Sequence, residues 1–184
     1  KYGLRSINFI MFSDRTKFDD GYTFESNRGQ KLLDSMKQEN VVCGIHPSYY
    51  SSEDFSKLEK EFAVADKFGM SKDSRQHYLK YKYPDTFSLL DQLGVKRDYS
   101  LGYADKEGFR CGTCHPFRFF DLNGDRELEL IMFPLIVMDV TLRDYSKMQA
   151  KEAVAILTSM YRRVDSVGGN LVVLWHNTEL LVDY

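Results

Sequence analysis

The sequence lacks any run of about 18 apolar residues, so no transmembrane helix is expected. It also lacks massed charge. Its 25 Lys+Arg and 27 Asp+Glu leave a net charge of −2, and the basic residues are scattered, which excludes the electrostatic footprint of a nucleic-acid or membrane-surface binder. Three cysteines are an odd number and make no disulfide framework; Cys111 and Cys114 could pair, but Cys43 would be left over. The start, Lys1-Tyr2-Gly3-Leu4-Arg5, has neither an initiator methionine nor the zones of a signal peptide, so no compartment is read from it. There are no repeats, low-complexity tracts or linkers. No Gly-x-Ser-x-Gly elbow occurs, so Ser48, two residues past His46, is not read as a hydrolase nucleophile.

What is present is an ordinary globular composition, 43% hydrophobic and 28% charged over 184 residues, which predicts one domain able to bury its own core. The 12 Tyr and 13 Phe suit a carbohydrate-facing cleft as well as a packed interior. Short apolar runs at 7–12, 41–45, 135–140 and 171–175 predict strands buried on both faces. Helices are predicted from Ser26 to Glu39 on Leu32, Leu33 and Met36, and from about Ser51 to Gly69 on Phe55, Leu58, Phe62 and Ala65. Two more follow, from Pro84 to Gly94, and over 147–167 on Val154, Leu157, Tyr161 and Val164. A polar-aromatic strand is predicted over 74–81, and Asn123-Gly124-Asp125 marks the turn of a hairpin insertion near 117–133. The alternation predicts a parallel α/β architecture.

The chemistry gathers at strand exits. Val41 to Ile45 runs straight into His46, Leu171 to Trp175 runs straight into His176, and Arg75 and His77 sit on a third strand candidate. In α/β barrels catalytic groups occupy the C-terminal ends of strands, so these four are expected on one rim. Neutral imidazole binds borderline metals and exchanges protons near neutrality, and a guanidinium orients carboxylates.

The segment Gly44-Ile45-His46-Pro47-Ser48-Tyr49 resembles the histidine motif of the polysaccharide deacetylase superfamily, the NodB-like carbohydrate esterases. Gly94-Val95-Lys96-Arg97-Asp98-Tyr99-Ser100 is similar to that family's Gly-Tyr-Asp-Ser-Ser strand, and Leu171–Trp175 followed by His176 to its last motif. The run 108–117 resembles a divergent bacterial branch. The resemblance implies a distorted (β/α) barrel and a divalent metal, most often zinc, whose bound water attacks an acetyl carbonyl of an N- or O-acetylated glycan. Carried over, His46 is a metal ligand, His176 the general acid, and Arg75 the group that orients the catalytic base. The family's second ligand histidine falls on Tyr50, so His77 is assigned the missing imidazole, with His115 as the other candidate. Tyr49 and Trp175 are assigned to the substrate. Phe18-Asp19-Asp20-Gly21 looks like the family's opening Asp-Asp signature, but it follows the strand over 7–12 instead of preceding it. Asp19 and Asp20 are therefore set aside, and the catalytic carboxylates and a first β/α unit are expected upstream or on a partner segment.

Three other patterns compete. Cys111-Gly112-Thr113-Cys114-His115 matches c-type haem attachment. Cys43-x-x-His46 with Cys111-x-x-Cys114 has the ligand types of a structural zinc module. Tyr50 at a ligand position fits a degenerate deacetylase fold that binds glycan without cleaving it.

Overall fold

A computed structural model describes residues 4–70 and 72–178. The chain divides into two compact units, Lys1–Asp98 with Phe119–Leu130, and Tyr99–Arg118 with Ile131–Tyr184. The architecture is mixed α/β with a mostly parallel sheet.

In the first unit β1 (Asn8–Ile10), β2 (Cys43–Ile45), β3 (Asp73–Ser74) and β4 (Arg97–Asp98) are parallel neighbours, with Ile10 opposite Ile45 and Ile45 opposite Ser74. The sheet continues through β6 (Arg126–Met132) to β5 (Phe117–Asp121), in the order β1-β2-β3-β4-β6-β5. The strand predicted over 74–81 stops at Ser74. Gln76 starts a tight turn over His77–Leu79, and Tyr78 adopts φ 58°, ψ 16°, which no strand accommodates. On β6, Leu128, Leu130 and Met132 are fully buried and alternate with Glu127, Glu129 and a partly covered Ile131, the period-two pattern of a strand with one wet face.

Helix α1 (Asn27–Gln38) starts at Ser26, whose hydroxyl accepts from the Gly29 N–H at 3.1 Å. Its buried residue is Leu33; Leu32, predicted on the same face, is 54% exposed. Helix α2 (Phe55–Lys67) starts later than predicted because Asp54 is itself the cap, accepting from the Lys57 N–H at 3.2 Å. Leu58, Phe62 and Ala65 are buried as expected, while Phe55 is exposed. Helix α3 (Asp85–Gln92) buries Phe87 and Leu90 completely, each contributing about 1.5–3 kcal/mol of burial. The packing is tight at Gly44, where a Cβ would lie 2.7 Å from the Asp73 carbonyl and 3.0 Å from the Phe9 ring.

In the second unit β7 (Leu135–Met138) and β8 (Val172–Leu174) pair in parallel with a register shift between Leu135 and Val137. One turn of π-helix (Thr141–Tyr145) follows β7, and α4 (Ala150–Asp165) leads back to β8. The core is Cys114, Ile136, Val137, Leu142, Met160 and Val164. The buried stripe of α4 is therefore Met160 and Val164, flanked by Ala153, Ile156 and Leu157. Val154 and Tyr161, predicted on that face, are 62% and 56% exposed. Strand β8 is not buried on both faces, since Val173 is exposed. No helix among the described residues is long and apolar enough to cross a membrane.

Candidate active-site pairs

In the first unit the ladder runs past the strand ends. The His46 N–H donates to Ile10 O, Arg75 N–H to Ile45 O, and His77 N–H to Pro47 O, at 2.8, 3.1 and 3.1 Å. This brings His46 and His77 together with ring centroids 4.9 Å apart. His46 Nδ1 meets the carbonyl of Arg75; a carbonyl only accepts, so Nδ1 carries the proton. The Arg75 guanidinium, 7% exposed, lies 4.7 Å from the Phe9 ring centroid.

His77 Nδ1 lies 2.8 Å from an oxygen of Asp19. Asp19, set aside on sequence, is 2% exposed. The same carboxylate accepts the Tyr49 N–H at 2.8 Å and the Thr16 hydroxyl at 2.6 Å. Burial raises the Asp19 pKa, but the bonds from Thr16, Tyr49 and His77 and the His77 charge outweigh it, so it lies below the ordinary value. Asp20 stays exposed. Behind this cluster Glu61 of α2 is buried and accepts both the backbone N–H and the hydroxyl of Ser48, at 2.9 and 2.5 Å. Its pKa is raised, chiefly by burial and also by the charge of Asp19.

Tyr78, whose ring lies 4.6 Å from that of His77, belongs to a cluster of four aromatic rings. Phe18 stacks on Tyr49 at 4.1 Å, and Tyr78 meets both edge-on, at 5.9 Å from Phe18 and 5.3 Å from Tyr49. Tyr50 adjoins Tyr49 at 5.3 Å. Tyr78 is held in the left-handed region with Leu79 (φ 51°) beside it, a conformation costing about 1–2 kcal/mol per non-glycine residue.

The second unit holds another pair. Asp139 follows β7 and His176 follows β8, so the parallel register sets them side by side. His176 Nδ1 lies 2.7 Å from one Asp139 oxygen, and the His176 N–H donates to the other. The carboxylate is 4% exposed and the imidazole 44%. Burial raises the Asp139 pKa, but the two bonds and the charge of His176, with the Val140 N–H, bring it below its ordinary value. An ionised carboxylate on Nδ1 fixes the tautomer and leaves Nε2 turned away from Asp139, the arrangement of a proton-transfer histidine. Trp175, 43% exposed, lines a cavity of ≈ 230 Å³ with Asp139, Leu142, Met148, Val154 and Leu157.

Comparisons give the fold. No family model matches the sequence, and no curated protein matches it. A solved structure described as a candidate polysaccharide deacetylase involved in O-antigen biosynthesis (WbmS), from Bordetella bronchiseptica, is similar at TM-score 0.53 and 14% identity, over 94% of this chain and 59% of that one. A candidate polysaccharide deacetylase from Mycobacterium smegmatis is similar at TM-score 0.57 and 16% identity, over 83% of this chain and 55% of that one. The chain carries a polysaccharide-deacetylase-like fold. It spans somewhat over half the length of these neighbours.

The fold family implies a divalent metal, and the first unit offers the imidazoles of His46 and His77. Two imidazoles with protonated Nδ1 atoms suit two positions of a borderline metal's shell. Among the described residues, however, no group of three His, Cys, Asp or Glu forms a metal site. Asp19 is committed to His77, Tyr49 and Thr16. The donors present do not make a complete site, and no chemical step is derived through a metal. Cys114 is 5% exposed in the core of the second unit, which leaves it no room as a haem thioether.

Proposed function

We propose that this chain is a hydrolase that removes acetyl groups from an N- or O-acetylated polysaccharide or its precursor. The observation that carries this is the Asp139–His176 pair at the ends of adjacent parallel strands. Cleaving an amide or ester requires a proton at the departing nitrogen or oxygen. His176 would deliver it from Nε2 while Asp139 holds Nδ1 and offsets the imidazolium charge. Arg75 is assigned to orient the base, and Tyr49 and Trp175 to contact the glycan. A divalent ion, zinc, at His46 and His77 belongs to the same proposal. With two protein donors it would bind weakly, so dialysed protein should hold less than one equivalent.

The test is acetate release from an acetylated chito-oligosaccharide with added zinc or cobalt. His176→Ala should lower turnover by about 10²–10⁴-fold with its circular dichroism and zinc content unchanged. Full turnover in the variant would end the proposal. A second reading, glycan binding without cleavage, is favoured by Tyr50 standing where the family motif has its second histidine. Calorimetric binding of the oligosaccharide with no acetate release would select it.

A further inference from the structure

We infer that Tyr78, exposed on the Phe18–Tyr49 pair that also carries Tyr50, forms a stacking site for one uncharged pyranose ring of the glycan, next to the His46–His77 pair. The inference rests on the glycan reading above and names the residues that would recognise the sugar.

Tyr49 is a poor stacking surface, because both of its faces are taken. Phe18 lies nearly parallel to it at 4.1 Å, and the Lys80 ammonium sits 4.0 Å from its centroid. Its contact with the glycan would be through its hydroxyl, while its ring supports the neighbouring rings. Tyr78 and Tyr50 are the exposed members of the cluster, at 59% and 38%. Tyr78 has a left-handed backbone, where asparagine or glycine sits without strain and a tyrosine does not. The residues on either side account for the turn: His77 reaches Asp19, and Leu79 is buried in the core. The Tyr78 ring meets Phe18, Tyr49 and His77 yet remains 59% exposed. Strain of this kind concentrates at ligand sites, and here it holds an aromatic ring outward with its centroid 4.6 Å from that of His77.

The surroundings indicate the occupant. The aromatic face suits the C–H face of a sugar ring. The ammonium groups of Lys17 and Lys57, 5.3 Å from the Phe18 centroid and 5.4 Å from the Tyr50 centroid, can donate to hydroxyl and acetamido oxygens. Lys80 is already paired with Glu53 at 3.0 Å, and Asp20 and Asp54 are exposed nearby in sequence, so the rim is not a site of massed positive charge for an acidic sugar.

The experiment uses the 184-residue chain and its Tyr78→Asn and Tyr78→Phe variants. The probes are tetra-N-acetylchitotetraose, an acetylated xylotetraose and, as a planar ligand that is not a pyranose, AMP. Affinity is read by calorimetry and stability by thermal melting. Tyr78→Asn is expected to keep or raise the melting temperature, because it relieves the strain, and to weaken oligosaccharide binding by about tenfold or more. Tyr78→Phe should keep most of the affinity. Unchanged affinity in Tyr78→Asn overturns the inference. So does binding of neither oligosaccharide, tighter binding of AMP, or a fall in melting temperature that accompanies the loss. Acetate release separates this outcome from the function above. Binding that depends on Tyr78 with no acetate release leaves the stacking site standing and removes the hydrolase. Acetate release with the same kcat/KM in Tyr78→Asn does the reverse.

Discussion

Two buried carboxylates hold two imidazoles in this chain at nearly the same distance, 2.8 Å for Asp19–His77 and 2.7 Å for Asp139–His176. Both carboxylates are depressed below their ordinary pKa by hydrogen bonds and the adjacent imidazole, against the opposing effect of burial. They differ in what else the carboxylate does. Asp139 gives both oxygens to His176, one to the ring and one to the backbone, with a further bond to its neighbour Val140. Asp19 ties its own loop, the backbone at Tyr49 and the His77 ring into one knot. The imidazoles differ as well: His176 is 44% exposed and His77 is 22%. One pair is arranged to present a ring to solvent, and the other to hold three chain segments together.

That contrast can be broken experimentally. The largest effect is expected from Asp139→Asn. An amide places a donor against either the ring or the backbone N–H of His176, so the tautomer is no longer fixed. Acetate release should fall on the order of 10²–10⁴-fold, close to the loss in His176→Ala. Next is Asp19→Asn, which should act on stability first, by about 1–3 kcal/mol in urea unfolding, because it leaves a buried donor of Thr16, Tyr49 or His77 unsatisfied. If Asp19→Asn cost as much turnover as Asp139→Asn, the division of labour between the pairs would be wrong. The smallest effect is in the pH dependence of stability. The lowered carboxylates contribute stability that is complete above their unfolded pKa of about 3.9 and is lost as pH falls through their folded values. Glu61 has the opposite sign. Its raised pKa makes the fold gain stability as pH falls from its folded value towards about 4.3. Urea titrations should therefore show stability rising slightly on mild acidification and falling below about pH 4, and Asp139→Asn should shallow the acid limb.

Much of the scaffold was legible because it is written in short-range pattern. The cap at Ser26 and the apolar runs that end in His46 and His176 are local signals. The apolar faces were less legible. On α4, Val154 and Tyr161 share a helical spacing with Leu157 and Val164, so periodicity alone gave a stripe displaced towards solvent. Asp139 carried the same signal as the two histidines, an apolar run ending in a polar group, but extending the run to Val140 concealed it. Asp19 could not be placed locally. It meets Tyr49 and His77 across 30 and 58 residues, and the loop that carries it has no periodic signature.

The close packing at Gly44 has a reach beyond its own strand. The Phe9 ring occupies the space a side chain would take there, and that same ring underlies the buried guanidinium of Arg75. Positions 9 and 44 thus share one volume, with Arg75 resting on it. A methyl group added at 44 would displace the ring and, with it, the support of an arginine two strands away from Phe9 in the sheet order. Shrinking residue 9 alone would not admit a larger residue 44, because the Asp73 carbonyl stands 2.7 Å from where its Cβ would sit. Glycine at 44 keeps both neighbours in place and, through Phe9, the seat of Arg75.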